Sequence, residues 1–120
     1  IAGIMEKYIP GDYEFDVPKK LIQLYNAKDY GIYKDKTGDV PVNFTATNHT
    51  TGGNSGSPAL DAYGNLVGLN FDRQWEGTMS DINYDPRFSR NIMVDTKYIL
   101  FVIDKYADAK WLINEMKIVK

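Results

Sequence analysis

The spacing of apolar and polar positions changes twice along this 120-residue chain. Residues 1–17 show no steady period. They mix apolar, aromatic and acidic side chains around Pro10-Gly11 and read as a turn or extended lead-in. After Val17-Pro18, Leu21, Ile22, Leu24 and Tyr25 fall at helical spacing. Proline suits a first helical position, so a short helix is expected to end near residues 28–31. Residues 35–39 form a polar turn, with Gly38 where a positive φ is tolerated. From Val40 the period drops to two: Val42, Phe44 and Ala46 alternate with Asn43, Thr45 and Thr47, as in a half-buried strand. Residues 58–60 and 65–71 flank the turn 61–64, a hairpin signal. Gly68 inside the second strand points to a bulge or a close backbone approach. Residues 72–91 are polar and irregular, long for a loop in a small domain and so a candidate for function. Residues 91–94 suit one last strand. Asp95 or Thr96 then caps a closing amphipathic helix, with Ile99, Val102, Ile103 and Tyr106 on one face and Ala109, Leu112, Ile113 and Met116 repeating it past Asp108.

Composition narrows the chemistry. The length is that of one domain, with ordinary fractions of hydrophobic (43%) and charged (25%) residues. Lys and Arg number 14 against 16 Asp and Glu, a net charge of -2. That balance offers neither an electrostatic footprint for nucleic acid nor a polybasic membrane anchor. No apolar run approaches the roughly 18 residues of a membrane-spanning helix. Glu6, Lys7 and Asp12 interrupt anything resembling a signal peptide. Cysteine is absent, which excludes thiol chemistry, disulfides and thiolate metal sites. The single histidine, His49, excludes a site built on two imidazoles from this chain. The first residue is Ile1 rather than methionine, and a processed protein or an excised piece is expected.

The richest chemical signal is Thr-Thr-Gly-Gly-Asn-Ser-Gly-Ser-Pro at residues 50–58. A serine framed by Gly53 and Gly56 can sit on a tight turn with its hydroxyl exposed. Backbone N–H groups of such a turn can converge on a developing negative charge, and Gly53 and Ser55 are the natural donor pair. On composition alone, a plain Gly/Ser-rich loop accounts for the same residues. The stretch lacks the Gly-Lys-Ser/Thr ending of a nucleotide phosphate loop, and its glycines have the wrong spacing for a Gly-x-Ser-x-Gly elbow.

Gly-Asn-Ser-Gly-Ser-Pro, followed by an apolar strand, a turn and Gly-Asn-Leu-Val-Gly-Leu at 64–69, resembles the nucleophile region of chymotrypsin-like serine peptidases. The continuation Leu-Asn-Phe-Asp-Arg-Gln-Trp-Glu-Gly-Thr-Met-Ser-Asp at 69–81, then Arg-Asn-Ile-Met-Val-Asp at 90–95, narrows this. The chain resembles the C-terminal region of the bacterial dipeptidyl-peptidases of family S46, closest to the Asp/Glu-specific type. The likeness runs from about residue 21 to 116, most of this chain but a minority of a family protein.

The resemblance implies a mostly β fold, the second barrel of a chymotrypsin-like pair. Residues 1–39 would be a lead-in with a short helix, and residues 40–120 the barrel and closing helix. It implies Ser55 as nucleophile, with Gly53 and Ser55 supplying oxyanion-hole N–H groups. The family's catalytic His and Asp lie far upstream and have no counterpart here. The family often carries an acidic residue at the position of His49, which argues against a catalytic role for it. Alone, such a segment is expected to be inert or nearly so. Arg73, otherwise an ordinary ion-pair partner, falls at the position lining the pocket for the residue before the cut. Arginine there resembles the type that prefers Asp or Glu, and a planar guanidinium suits a carboxylate. Asn70, Phe71 and Asp72 would form the adjacent wall, with Asp72 a candidate to meet the substrate's amino group. A peptide substrate is implied, with no cofactor, no nucleic acid and no membrane insertion. The full-length enzyme is expected to be a homodimer in the bacterial periplasm or cell envelope.

Other candidates are weaker. Glu76, Asp81 and Asp85 lack the spacing of a calcium loop. Trp75 and Tyr84 read as loop anchors. The sequons at Asn43 and Asn48 read as chance matches. Two alternatives stay open: a non-catalytic peptide-binding or structural fragment, and a trypsin-like endopeptidase fragment, against which the 69–86 string argues.

Overall fold

The structure, a computed structural model, describes residues 1–119. It divides into two compact units, Ile1–Pro41 together with the chain from Lys97 onward, and Val42–Thr96.

The first unit is helical. It contains α1 (Ala2–Glu6), where the sequence suggested an extended lead-in, and α2 (Lys19–Ala27). Pro18 caps α2 one position earlier than expected, with φ -56. The helix ends where Lys28 turns left-handed (φ 54) and the Lys28 and Asp29 amides return to Tyr25 O and Leu24 O, satisfying carbonyls the helix would otherwise leave open. The expected closing helix is broken into α3 (Thr96–Phe101), a π turn over Val102–Tyr106 and α4 (Lys110–Asn114). Asp108, at φ 54, stands at the break. Ile99, Val102, Ile103 and Tyr106 are half-buried, while Phe101, off that stripe, is fully buried. Phe101 meets Tyr30 and Tyr33 edge-on at centroid distances of 6.3 and 6.5 Å. Val40, Ile1, Val17 and Leu21 are the other buried apolar residues of this unit.

The second unit is a sheet of β1 (Asn43–Ala46), β2 (Pro58–Leu60), β3 (Leu66–Arg73) and β4 (Asn91–Asp95), in the order β1-β4-β3-β2 and antiparallel throughout. The hairpin β2–β3 turns as its sequence suggests: Asp61 Oδ1 accepts the Tyr63 and Asn65 amides, and Gly64 takes φ +81. Gly68 marks a close approach. A Cβ there would stand 2.7 Å from Val94 O and 2.8 Å from the Phe44 ring. Gly68 also borders a bulge, since Ala59 pairs with Gly68 but Leu60 with Leu66, leaving Val67 extra, and a second bulge lies further on between Asn70 and Asp72. Residues 72–91 are less irregular than expected, since β3 runs through Arg73 and a 3-10 helix covers Trp75–Asp81. Trp75 anchors nothing, being 86% exposed.

The barrel expected from the resemblance is not formed. β1 and β2 stand at opposite edges of an open four-stranded sheet and do not pair with each other. Nor is the chain mostly β, with 34% helix against 17% strand. The reason is local. The segments before and after the sheet in sequence, rich in Tyr, Ile and Leu, fold into helices that bury Phe101 and Val40 instead of adding strands.

Candidate active site

The loop between β1 and β2 carries Ser55. Gly53 (φ +96) and Gly56 (φ +81) take left-handed backbone conformations that side-chain-bearing residues rarely adopt. Asn54 braces the turn: its Oδ1 accepts Thr51 N at 2.8 Å, and its carbonyl accepts Ser57 N at 3.0 Å. Strand β3 holds the far side, where Gly56 N donates to Asn70 O at 2.7 Å and Asn70 N to Ser57 O at 2.9 Å. The amides of Asn54, Gly56 and Ser57 are thus engaged. Among the described residues, those of Gly53 and Ser55 donate to nothing, and the exposed Ser55 Oγ has no hydrogen bond. Two free N–H groups beside a free hydroxyl are chemically suited to receive an oxyanion.

The β3 bulge decides which side chains join this loop. Asn70 lies opposite Met93, Asp72 opposite Ile92 and Arg73 opposite Asn91, leaving Phe71 as the extra residue. Paired residues share a face of the sheet, and so do residues two apart. Asn70 and Arg73 therefore fall on the face of the buried Met93 and Asn91, although three positions separate them. Both reach the serine loop. Asn70 Nδ2 donates to Asn54 O at 3.2 Å, and Arg73 Nη1 to Thr50 O at 3.3 Å. Asn70 is itself fixed by Asn91 Nδ2, which donates to its Oδ1 at 3.0 Å. Phe71 and Asp72 are exposed, and Asp72 Oδ1 accepts the Arg73 amide at 2.8 Å. The same face carries an open cleft of about 310 Å³ beside the loop, lined by Phe44, Ala46, Asn54, Ser57, Asn70 and Met93.

Arg73 is heavily engaged. Nη1 donates to Ser80 Oγ at 3.0 Å and to Asp81 Oδ1 at 2.7 Å, and Nη2 to Asp81 Oδ2 at 2.8 Å. This hydrogen-bonded pairing raises the Arg73 pKa and holds the Asp81 carboxyl below its usual range. Sequence reasoning missed this role for Asp81, because nothing in the 72–91 string announces the 3-10 helix that returns it to Arg73. His49 is exposed, with Nε2 2.9 Å from Ser80 O and its ring 4.9 Å from that of Tyr84, whose hydroxyl donates to Thr47 O. Among the described residues it makes no bond to Ser55. Asp85 is engaged by Arg87, and no cluster suited to a metal ion occurs among the described residues.

A family model for peptidase S46 matches residues 1–118. The chain belongs to the peptidase S46 family. An Asp/Glu-specific dipeptidyl-peptidase of Flavobacterium psychrophilum, an S46 chain's close relative in sequence, is 73% identical over 119 residues, 99% of this chain and 16% of its own length. A dipeptidyl-peptidase 7 of Phocaeicola vulgatus is 50% identical over 120 residues, 17% of its length. The crystal structure of Porphyromonas endodontalis DPP11 in complex with the dipeptide Arg-Asp superposes with a TM-score of 0.95 at 52% identity, covering 98% of this chain and 17% of that one. This S46 chain therefore spans about a sixth of the length of the relatives it matches. None of its helices among the described residues is long and apolar enough to cross a membrane.

Proposed function

We propose that this chain is the C-terminal part of a serine dipeptidyl-peptidase that releases N-terminal dipeptides ending in Asp or Glu. Ser55 Oγ attacks the carbonyl of the second residue, and its proton passes to a histidine supplied by the rest of the enzyme. The amides of Gly53 and Ser55 stabilise the oxyanion. The shortened peptide leaves with that proton on its new amino group, and water then hydrolyses the dipeptidyl ester. Arg73 receives the acidic side chain, while Asn70, Phe71 and Asp72 flank the peptide and Asp72 meets its amino terminus. The chemistry calls for no cofactor, and the whole enzyme acts as a homodimer in the cell envelope.

One observation carries this reading: the two unengaged amides of Gly53 and Ser55 flank an unengaged hydroxyl while their neighbours are held. The identity to Asp/Glu-specific relatives supports the substrate class. Replacing Ser55 with Ala in the full-length enzyme is expected to lower release of acidic dipeptides by at least about a thousandfold, with peptide binding retained. Unchanged turnover by Ser55→Ala would refute the assignment.

A further inference from the structure

If Arg73 reads an acidic side chain, as proposed above, its guanidinium must stay in one plane with two parallel N–H bonds free. The side chain offers two such edges, one formed by Nη1 and Nη2 and the other by Nε and Nη2. Asp81 occupies the first, with both oxygens within 2.8 Å. Thr50 O and Ser80 Oγ add acceptors at Nη1, and Ser80 Oγ itself donates to Gly77 O at 2.6 Å. Among the described residues Nε donates to nothing, and the Arg73 side chain keeps 24% of its surface exposed. Tyr84, Gly77 and Asn91 line the same narrow cleft around these partners.

We propose that Asp81 is a positioning residue for acidic-substrate recognition. It clamps Arg73 end-on and thereby presents the Nε–Nη2 edge to the substrate carboxylate. A free arginine would have to surrender rotamer freedom each time it met a substrate. Here that ordering is completed during folding, so binding is relieved of it. Asp81 also neutralises the guanidinium when no substrate is bound, so the site selects by geometry more than by bare charge.

The test uses the full-length enzyme and two peptides, one with Asp and one with Leu as second residue. Asp81→Asn keeps the shape but removes one acceptor and the charge. It is expected to raise KM for the Asp peptide about 3- to 10-fold, with kcat within about twofold and the Leu peptide unaffected. Asp81→Glu should recover part of the loss. In an Arg73→Gly background, Asp81→Asn should leave the Asp/Leu ratio unchanged. An unchanged or lower KM for the Asp peptide in Asp81→Asn overturns the proposal, the lower value marking Asp81 as a competitor for the substrate's seat. An effect that persists without Arg73 overturns it as well. Arg73→Gly alone tests the underlying reading separately: if acidic preference survives it, Arg73 is not the reader and the specificity assignment falls independently of Asp81.

Discussion

Gly53 shows how much of the site was written in residue types and how much was not. Its sequence neighbourhood announced a turn with an exposed serine. It did not announce that the amides of Gly53 and Ser55 would be free while those of Asn54, Gly56 and Ser57 were taken, because the acceptor of Gly56 N, Asn70 O, depends on the register of β3. At φ +96, Gly53 holds its peptide plane in a conformation a Cβ resists. Gly53→Ala in the full-length enzyme should therefore rotate that plane and lower kcat about 10²- to 10³-fold with KM nearly unchanged, as loss of one oxyanion donor does. Steady-state kinetics on an Asp-containing dipeptide substrate measure this split. Arg73 was legible as an arginine after a strand. Its fixed orientation was not, since Asp81 lies eight positions away and is brought back by a helix with no clear signal.

At the scale of elements, the strands were the most legible part. The alternation of Phe44 and Ala46 with Asn43 and Thr45 matches the half-buried and exposed positions of β1, and the hairpin turns where Gly64 allows it. Departures from regular geometry were hidden. A bulge at Phe71 and a π turn at Val102–Tyr106 each shift side-chain phase without leaving a mark in composition. Gly68 was the exception, because a glycine within an apolar strand is itself a signal. Its Cβ position is blocked by Val94 O and by the Phe44 ring, and the carbonyl belongs to the neighbouring strand and cannot retreat without straining the sheet. Gly68→Ala should cost about 1–3 kcal/mol of stability. A lower urea midpoint at unchanged slope checks it, and a midpoint equal to wild type would contradict the packing described.

Across the whole molecule, the barrel expectation came from the family likeness and not from the pattern, which by itself held strand signals only at 42–47, 58–71 and 91–94. The two units also differ in what they bury. The helical unit encloses aromatic and aliphatic side chains, whereas in the sheet unit Met93 is joined by Asn70, Ser80, Ser89 and Asn91. An average hydrophobic fraction conceals that contrast. Within the helical core, burial and donation to Asp104 Oδ2 at 2.7 Å push the Tyr33 phenol up from 10.0 to about 12. The native state thus keeps a proton that the unfolded chain loses near its ordinary pKa. The resulting stabilisation is complete below pH 10.0 and is lost as pH rises through about 12. Urea unfolding of wild type and Tyr33→Phe across this interval should show the wild type's relative advantage shrinking, and a constant difference would refute the linkage.

The extra residue at Phe71 gives this sheet an arithmetic of odd and even. Were the same residues paired as a regular strand, with no bulge between Asn70 and Asp72, every later side chain of β3 would exchange sides. Arg73 would remain in the sequence, still an arginine one step after an aspartate, yet would be aimed away from Thr50 and the serine loop. A homologue with the same letters but a regular strand would then carry the arginine without bringing it to the serine loop. In this strand, how the residues pair weighs as much as which residues they are.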